Sequence, residues 1–381
     1  MSASNGLLSA TDSSLASVKK LPDSQSAAST FSFQHIPELD GFRGLAVLVV
    51  VVGHYFEYRL PGLSKQFATV DKLGVLLFFV LSGFLITGLL QRERSITNDV
   101  NFRRFYIRRA LRLGPALLVF LFAVVVLMRL GKITDVPRKE IAECLFYVRN
   151  IFGRSLTLGH IWSLSLEEQF YFVWPFTFLL LPMKRSASIV TGICVVLATW
   201  RGIAITANLF SYQNGIYYMR PYFRFDSILV GAALILWLVS SPKAVETLRR
   251  VLAAVPGAIL WGGLAIWTAM GENISRAAYI SVQEVLVTAA LAQIVLCGGT
   301  LLGALFRSKL LRYFGAISYS LYLWQQLFLV TNASSWGPLR RIPLCIILPV
   351  LIAMGSHHLI EKPMLALKDR LAPQLSSTVR G

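Results

Sequence analysis

The chain reads as an all-α, polytopic transmembrane helical bundle of about ten spans, and three observations carry that prediction. Of its 381 residues, 55% are hydrophobic and only 15% charged, a balance shifted well away from that of soluble globular domains. The apolar residues gather in runs of about 17 to 25, long enough to cross a bilayer as helices. The 37 Lys and Arg residues, which against 19 acids give a formal charge of +18, sit in short clusters between those runs. Cations placed this way set topology and meet anionic lipid, so the lipid bilayer is the expected partner and nucleic acid is not.

The span cores begin near Gly44, Lys72, Ile107, Ile161, Ala187, Phe223, Val251, Ile280, Leu311 and Pro343. Residues 1–33 are rich in Ser and Ala and lack a basic region joined to an apolar core and cleavage site, so they read as a disordered tail. Residues 34–365 form the membrane domain and 366–381 a C-terminal tail. The first span is short unless it runs through Tyr58, and 140–151 is amphipathic enough to lie along the membrane surface. With the N-terminus inside, the cytoplasmic segments collect Arg92, Arg94, Arg103, Arg104, Arg108, Arg109 and Arg112, then Lys184 and Arg185, then Lys243, Arg249 and Arg250. Both termini are therefore expected in the cytoplasm. The sequence has no internal repeat, so the inverted symmetry of many transporters has no support. Cys144, Cys194, Cys297 and Cys345 are scattered, which predicts neither a disulfide framework nor a metal site.

Charged residues inside apolar runs mark the chemistry. Arg43 and His54 are eleven residues apart on the first helix, so they share one face about 16 Å apart along its axis. Ionisable groups at such depth usually face the bundle interior or a water-filled path. In the second span, Ser82 and Gly83 allow close approach by another helix or by a slender ligand chain. Arg104, Arg108 and Arg112 step by four along the third helix and Arg109 lies three before Arg112, so their guanidinium groups can converge on a phosphate.

The fourth span opens with His160, Trp162, Glu167 and Glu168. His160 and Glu167 are seven apart and nearly on one face, whereas Glu168 points elsewhere. In the sixth span, Arg224 and Asp226 do not face each other, which predicts partners on other helices: Glu167 or Glu168 for Arg224, and Arg43 for Asp226. The ninth span carries hydroxyls and amides from Ser318 to Gln326 that suit interhelical hydrogen bonds. His357, His358 and Glu361-Lys362-Pro363 read as a helix terminus with polar anchors.

Taken in order, these motifs resemble the acyltransferase-3 family of integral membrane O-acyltransferases, which includes bacterial O-antigen and exopolysaccharide acetylases. The resemblance rests on Leu39-Asp40-Gly41-Phe42-Arg43-Gly44 with His54, Phe78-Phe79-Val80-Leu81-Ser82-Gly83-Phe84, and Arg109-x-x-Arg112 before Pro115. It continues through His160-x-Trp162-Ser163-Leu164 with Glu167-Glu168-Gln169-Phe170, Phe225-Asp226-Ser227, Ile317 to Tyr322, and Glu361-Lys362-Pro363. It implies transfer of an acyl group, usually acetyl, from cytoplasmic acyl-CoA to a hydroxyl of a carbohydrate or glycolipid acceptor, in a bacterial inner membrane and with no metal. Arg43 and His54 match the family's essential pair, and a neutral imidazole suits general-base work on a hydroxyl. Glu167 and Glu168 are the next catalytic candidates. Arg104, Arg108, Arg109, Arg112, Ser82 and Gly83 are donor-binding candidates, and His160, Trp162, Arg224 and Asp226 acceptor-binding ones. Many members carry a histidine after Tyr-Leu-Trp of the ninth span, where this chain has Gln325 and Gln326, so no second catalytic imidazole is expected there. Nor does the chain leave room after the bundle for the esterase-like domain fused to some relatives. A transporter using the Arg43–His54 path, a scaffold for glycan assembly, and an acyltransferase acting on a macrolide are the alternatives.

Overall fold

The computed structural model describes residues 36–60, 67, 69–209, 219–271, 276–330, 338–339 and 341–373. The tail expected over 1–33 lies outside them. The described residues are helical, without strands: α1 (Pro37–Arg59), α2 (Val70–Thr97), α3 (Phe102–Arg129), α4 (Arg138–Leu145), α5 (Arg149–Phe152), α6 (Ile161–Leu180), α7 (Ser186–Thr206) and α8 (Pro221–Ser240). There follow α9 (Pro242–Ala254), α10 (Gly257–Met270), α11 (Arg276–Leu296), α12 (Leu301–Phe306), α13 (Lys309–Leu329), α14 (Leu344–Ser356), a π-helical turn (His357–Glu361) and α15 (Lys362–Leu371).

Nine of the ten expected span starts fall on these helices, and the tenth, Pro343, is the residue that caps α14. By length and composition 7 helices could cross a membrane, or up to 8 with the bent α9–α10 pair. The two long helices outside that count are α6 and α13. Their polar residues, Glu167, Glu168 and Gln169 on one and Gln325 and Gln326 on the other, lower their hydropathy, and both border the site described below. The span expected at Val251 is broken, its halves meeting at 83°. Pro256 is the cause: Val255 before it is extended, at φ −96 and ψ 114, as steric conflict with a following proline requires. The segment 140–151 is not one continuous helix. It forms α4 and α5, and Cys144 is buried in one apolar cluster with Ala116, Leu117 and Phe120 of α3.

Local signals set the ends. Pro37 stands in the first turn of α1 with Glu38 and Asp40, and Arg59 in its last, which matches the helix dipole at both ends. Asn98 ends α2 at φ 57, its N–H bonded to the Arg94 carbonyl, and Asn101 caps α3 by accepting from the Arg104 N–H. Arg94 then reaches across to the carbonyls of Phe178 and Leu181 at 3.0 and 3.1 Å, satisfying the free C-terminal acceptors of α6.

The most extensive packing runs α7–α8–α2–α1–α13–α14 in space. Glycine allows two of the closest approaches. A side chain on Gly83 would meet the Ile228 carbonyl of α8, and one on Gly315 the Asp40 carbonyl of α1. Gly83 is therefore committed to helix packing, and the donor contact considered for it is replaced by backbone. Along α1 and α13, Gly44 meets Gly315, His54 meets Gln325, and Arg59 donates to the Phe328 carbonyl, so the two helices run parallel. The helices between them must then make an odd number of crossings, as α2, α3, α6, α7, α8, the α9–α10 pair taken once, and α11 do.

Asp226 is not held by Arg43. Its partner is Arg201 of α7, at 2.6 Å, which also binds Glu284 of α11 at 3.0 Å, Ser281 Oγ and the Phe223 carbonyl. Sequence reasoning missed this buried triad, because the partners lie 25 and 58 residues from Asp226. Arg224 is buried too, its guanidinium carbon 5.7 Å from the Phe79 ring centre. Replacing Arg201 by Leu leaves two buried carboxylates facing each other. We expect a loss of about 3–5 kcal/mol, seen as a lower melting temperature of the detergent-solubilised protein.

Candidate active site

Six helical elements enclose a cavity of about 600 Å3. Asp40 and Arg43 enter from α1, Ser82 from α2, Arg109 and Arg112 from α3, and Ser163, Glu167 and Tyr171 from α6. From α13 come Tyr319 and Tyr322, and from the C-terminal helix His357, Glu361 and Lys368. Because Asp40 and Lys368 share one cavity, the first and last described helices have those ends on the same side of the bundle.

Arg43, Arg109 and Arg112 lie close enough that their charges act on one another. The guanidinium of Arg109 also stacks over Tyr171, 4.3 Å from the ring centre, and Tyr171 OH donates to Glu167 at 3.0 Å. Aromatic stacking of this kind holds an arginine while leaving its N–H groups open. Asp40 lies 4.0 Å from Arg312 and also acts on Arg43. Cations still outnumber acids along the wall, so the cavity favours an anion.

Arg109, Arg112 and Lys368 also border a second, smaller pocket of about 170 Å3. Arg92, Arg104 and Arg108 complete its basic wall, with Glu93 as its acid. Arg104 is paired with Glu93, and Arg108 binds Asp369 at 3.2 Å and the Ala372 carbonyl at 2.5 Å. The four arginines singled out on α3 do converge, but Arg109 and Arg112 alone among them reach both pockets. Arg104 and Arg108 are partly neutralised on the outer rim.

His54 is buried beyond this cavity. Its Nδ1 lies 3.0 Å from Gln325 Oε1 and its Nε2 3.7 Å from Asp71 Oδ2. The amide oxygen accepts only, so Nδ1 carries a proton, and Nε2 faces Asp71. Asp71 is then placed to stabilise the imidazolium that forms when Nε2 takes a proton. The cavity ends towards His54 at Ser163 and Tyr322, whose hydroxyls are 2.5 Å apart. Gln325 sits three residues along α13 from Tyr322.

The other expected residues divide by position. Glu167 faces the cavity, whereas Glu168 faces a separate side pocket between α3 and α6, as their phase on one helix requires. His160 and Trp162 are buried without lining either pocket: the His160 ring packs against Phe120 and Tyr322, and Trp162 against Phe79. Glu361 is more than a polar anchor, because the π-helical turn carries it into the cavity wall, where it bonds Ser320 and lies 3.4 Å from His357. Such turns add one residue to a helix and often mark functional sites. Asp71 was missed. An acid at the first turn of an apolar span was the available signal for Asp71.

The acyltransferase domain model matches residues 36–355, and the chain belongs to this family of acyltransferases. Relatives include the peptidoglycan O-acetyltransferase OatA of Listeria monocytogenes, 28% identical over 88% of this chain and 56% of its own. Another, YrhL of Bacillus subtilis, named as a candidate peptidoglycan O-acetyltransferase, is 30% identical over 87% of this chain and 55% of its own. The chain thus spans little more than half the length of these relatives. No solved structure matches it.

Replacing Gln325 by Leu removes the acceptor on Nδ1. Nitrogen NMR of histidine-labelled protein should report a protonated Nδ1 for His54 in the wild type and a mixture of tautomers in the variant; an unchanged spectrum would remove Gln325 from the site.

Proposed function

We propose that this integral membrane protein moves an acyl group, in the first place acetyl, from acyl-CoA at the cytoplasmic face of a bacterial inner membrane to a hydroxyl of a glycan or glycolipid. One observation carries the reading: an arginine-lined pocket shares Arg109, Arg112 and Lys368 with a larger cavity whose wall carries the Ser163 and Tyr322 hydroxyls. The donor's phosphates would lie among Arg104, Arg108, Arg109 and Arg112, where bidentate contacts are available. Its slender thiol-bearing arm would follow the cavity past Ser82 towards Tyr322. The relatives' names make a peptidoglycan-type sugar the first acceptor to try.

The chemistry follows from the groups present. His54 Nε2 takes the acceptor's hydroxyl proton as that oxygen bonds to the thioester carbon. The tetrahedral oxyanion needs preorganised donors, and the Arg43 guanidinium and the Ser82 hydroxyl, both on the cavity wall, are the candidates. Collapse breaks the carbon–sulfur bond, and the thiolate leaves as the imidazolium returns the proton. Asp71 lowers the cost of the charged imidazole between those steps. Both termini would be cytoplasmic, on the side of the arginine cluster.

Labelled acetyl-CoA supplied to the protein in nanodiscs tests this reading. With acceptor present, His54→Ala should lower turnover by about 10²- to 10⁴-fold, the usual worth of a positioned base, with donor binding retained. Arg109→Ala and Arg112→Ala should instead weaken donor binding by about 10- to 100-fold, the scale of a charged hydrogen bond. Absence of donor binding in well-folded wild type would overturn the donor assignment and favour a transporter.

A further inference from the structure

The side pocket between α3 and α6 takes no part in this chemistry. It encloses about 340 Å3 between Tyr106 and Arg109 of α3, Phe146 and Tyr147 after α4, and Glu168 and Phe172 of α6. On one side Tyr106 OH donates to the Phe172 carbonyl at 2.8 Å, and Phe102 stacks on Phe176 with ring centres 4.4 Å apart. These contacts join the two helices. At the rim Phe146 and Phe172 are 77% and 67% exposed, on the flank of a span that protein covers sparsely. Large exposed aromatics on such a flank face lipid, so the pocket opens sideways into the bilayer. The arginine cluster on the same end of α3 puts that opening at the depth of the headgroups.

The walls select the occupant. Glu168 Oε1 is shielded from solvent and has no hydrogen-bond partner among the described residues, an arrangement that calls for a ligand or ion. The other polar groups whose bonds are described are committed. Tyr106 serves Phe172, Tyr171 serves Glu167, and the Gln169 amide donates to the Tyr147 carbonyl at 2.7 Å and to Asn150 at 2.9 Å. That last pair of bonds holds Tyr147 in the left-handed region at φ 53, where a non-glycine residue persists only under such restraint. One open anionic acceptor among aromatic faces suits an organic ammonium group. A sugar ring would leave several hydroxyls unmatched.

We propose that this pocket seats the headgroup of a zwitterionic aminophospholipid. Its ammonium lies on Glu168 between the aromatic walls, and its acyl chains leave past Phe146 and Phe172. The site shares the Arg109 and Tyr171 walls with the cavity of the acyl-transfer reading but rests on Glu168, which that reading does not use.

Native mass spectrometry of the full chain tests the proposal, with phosphatidylethanolamine and phosphatidylglycerol of matched chains added in turn. The wild type should retain the ethanolamine lipid at least about fivefold better, the scale of one cation–π contact, and Glu168→Gln should remove that preference. Phe172→Ala, at the exposed rim, should weaken retention if Glu168→Gln does not fold. Equal retention of the two lipids by the wild type, or an unchanged preference in folded Glu168→Gln, would overturn the proposal. So would displacement of the lipid by an equal concentration of soluble phosphoethanolamine, which would make the ligand a water-soluble amine.

Discussion

Charge carried into a membrane must be answered inside the protein, and this chain answers it incompletely. Arg43, Arg109 and Arg112 project into one enclosed space, where Asp40, Glu167 and Glu361 offset only part of the charge contributed by these arginines, Arg312 and Lys368. Elsewhere the balance is closer: Arg201 is satisfied by two carboxylates, a hydroxyl and a carbonyl. Arg149 lies 3.9 Å from Glu140 and donates to the Ser155 carbonyl. The contrast separates structural cations from recruiting ones. Buried arginines paired with acids hold helices together, whereas an uncompensated cluster facing a cavity attracts an anion.

The scaffold serves that cluster. The parallel pair α1 and α13 fixes both ends of the site, because one helix carries Arg43 and His54 and the other supplies Tyr322 and Gln325. Their separation is small only because glycine stands at the contact. Tyr171 then ties α6 to α3 by stacking under Arg109, and Arg94 ties α2 to the end of α6. The π-helical turn brings Glu361 in from the C-terminus. Six separate segments thus converge, without any strand or disulfide among the described residues.

Much of this was legible in the sequence. The alternation of apolar runs and basic clusters revealed the bundle, and the eleven-residue step correctly put Arg43 and His54 on one face of α1. Helical phase also separated Glu167 from Glu168. What was not legible depends on which helices become neighbours. Asp226 was matched to the wrong arginine, since nothing in its own span points to Arg201. The break at Pro256 was visible only as a composition, because a proline ends one helix without saying at what angle the next begins. Gly83 could have served a ligand or a helix, and only its contact with Ile228 decides between them.

The hydroxyl contact between Ser163 and Tyr322 has a consequence for the membrane itself. A continuous water column from the arginine cluster to His54 would join two compartments through titratable groups and conduct protons. Ser163 and Tyr322 line the cavity, whereas His54 does not. In a membrane, such a closure would keep protons from passing freely between the cavity and the histidine.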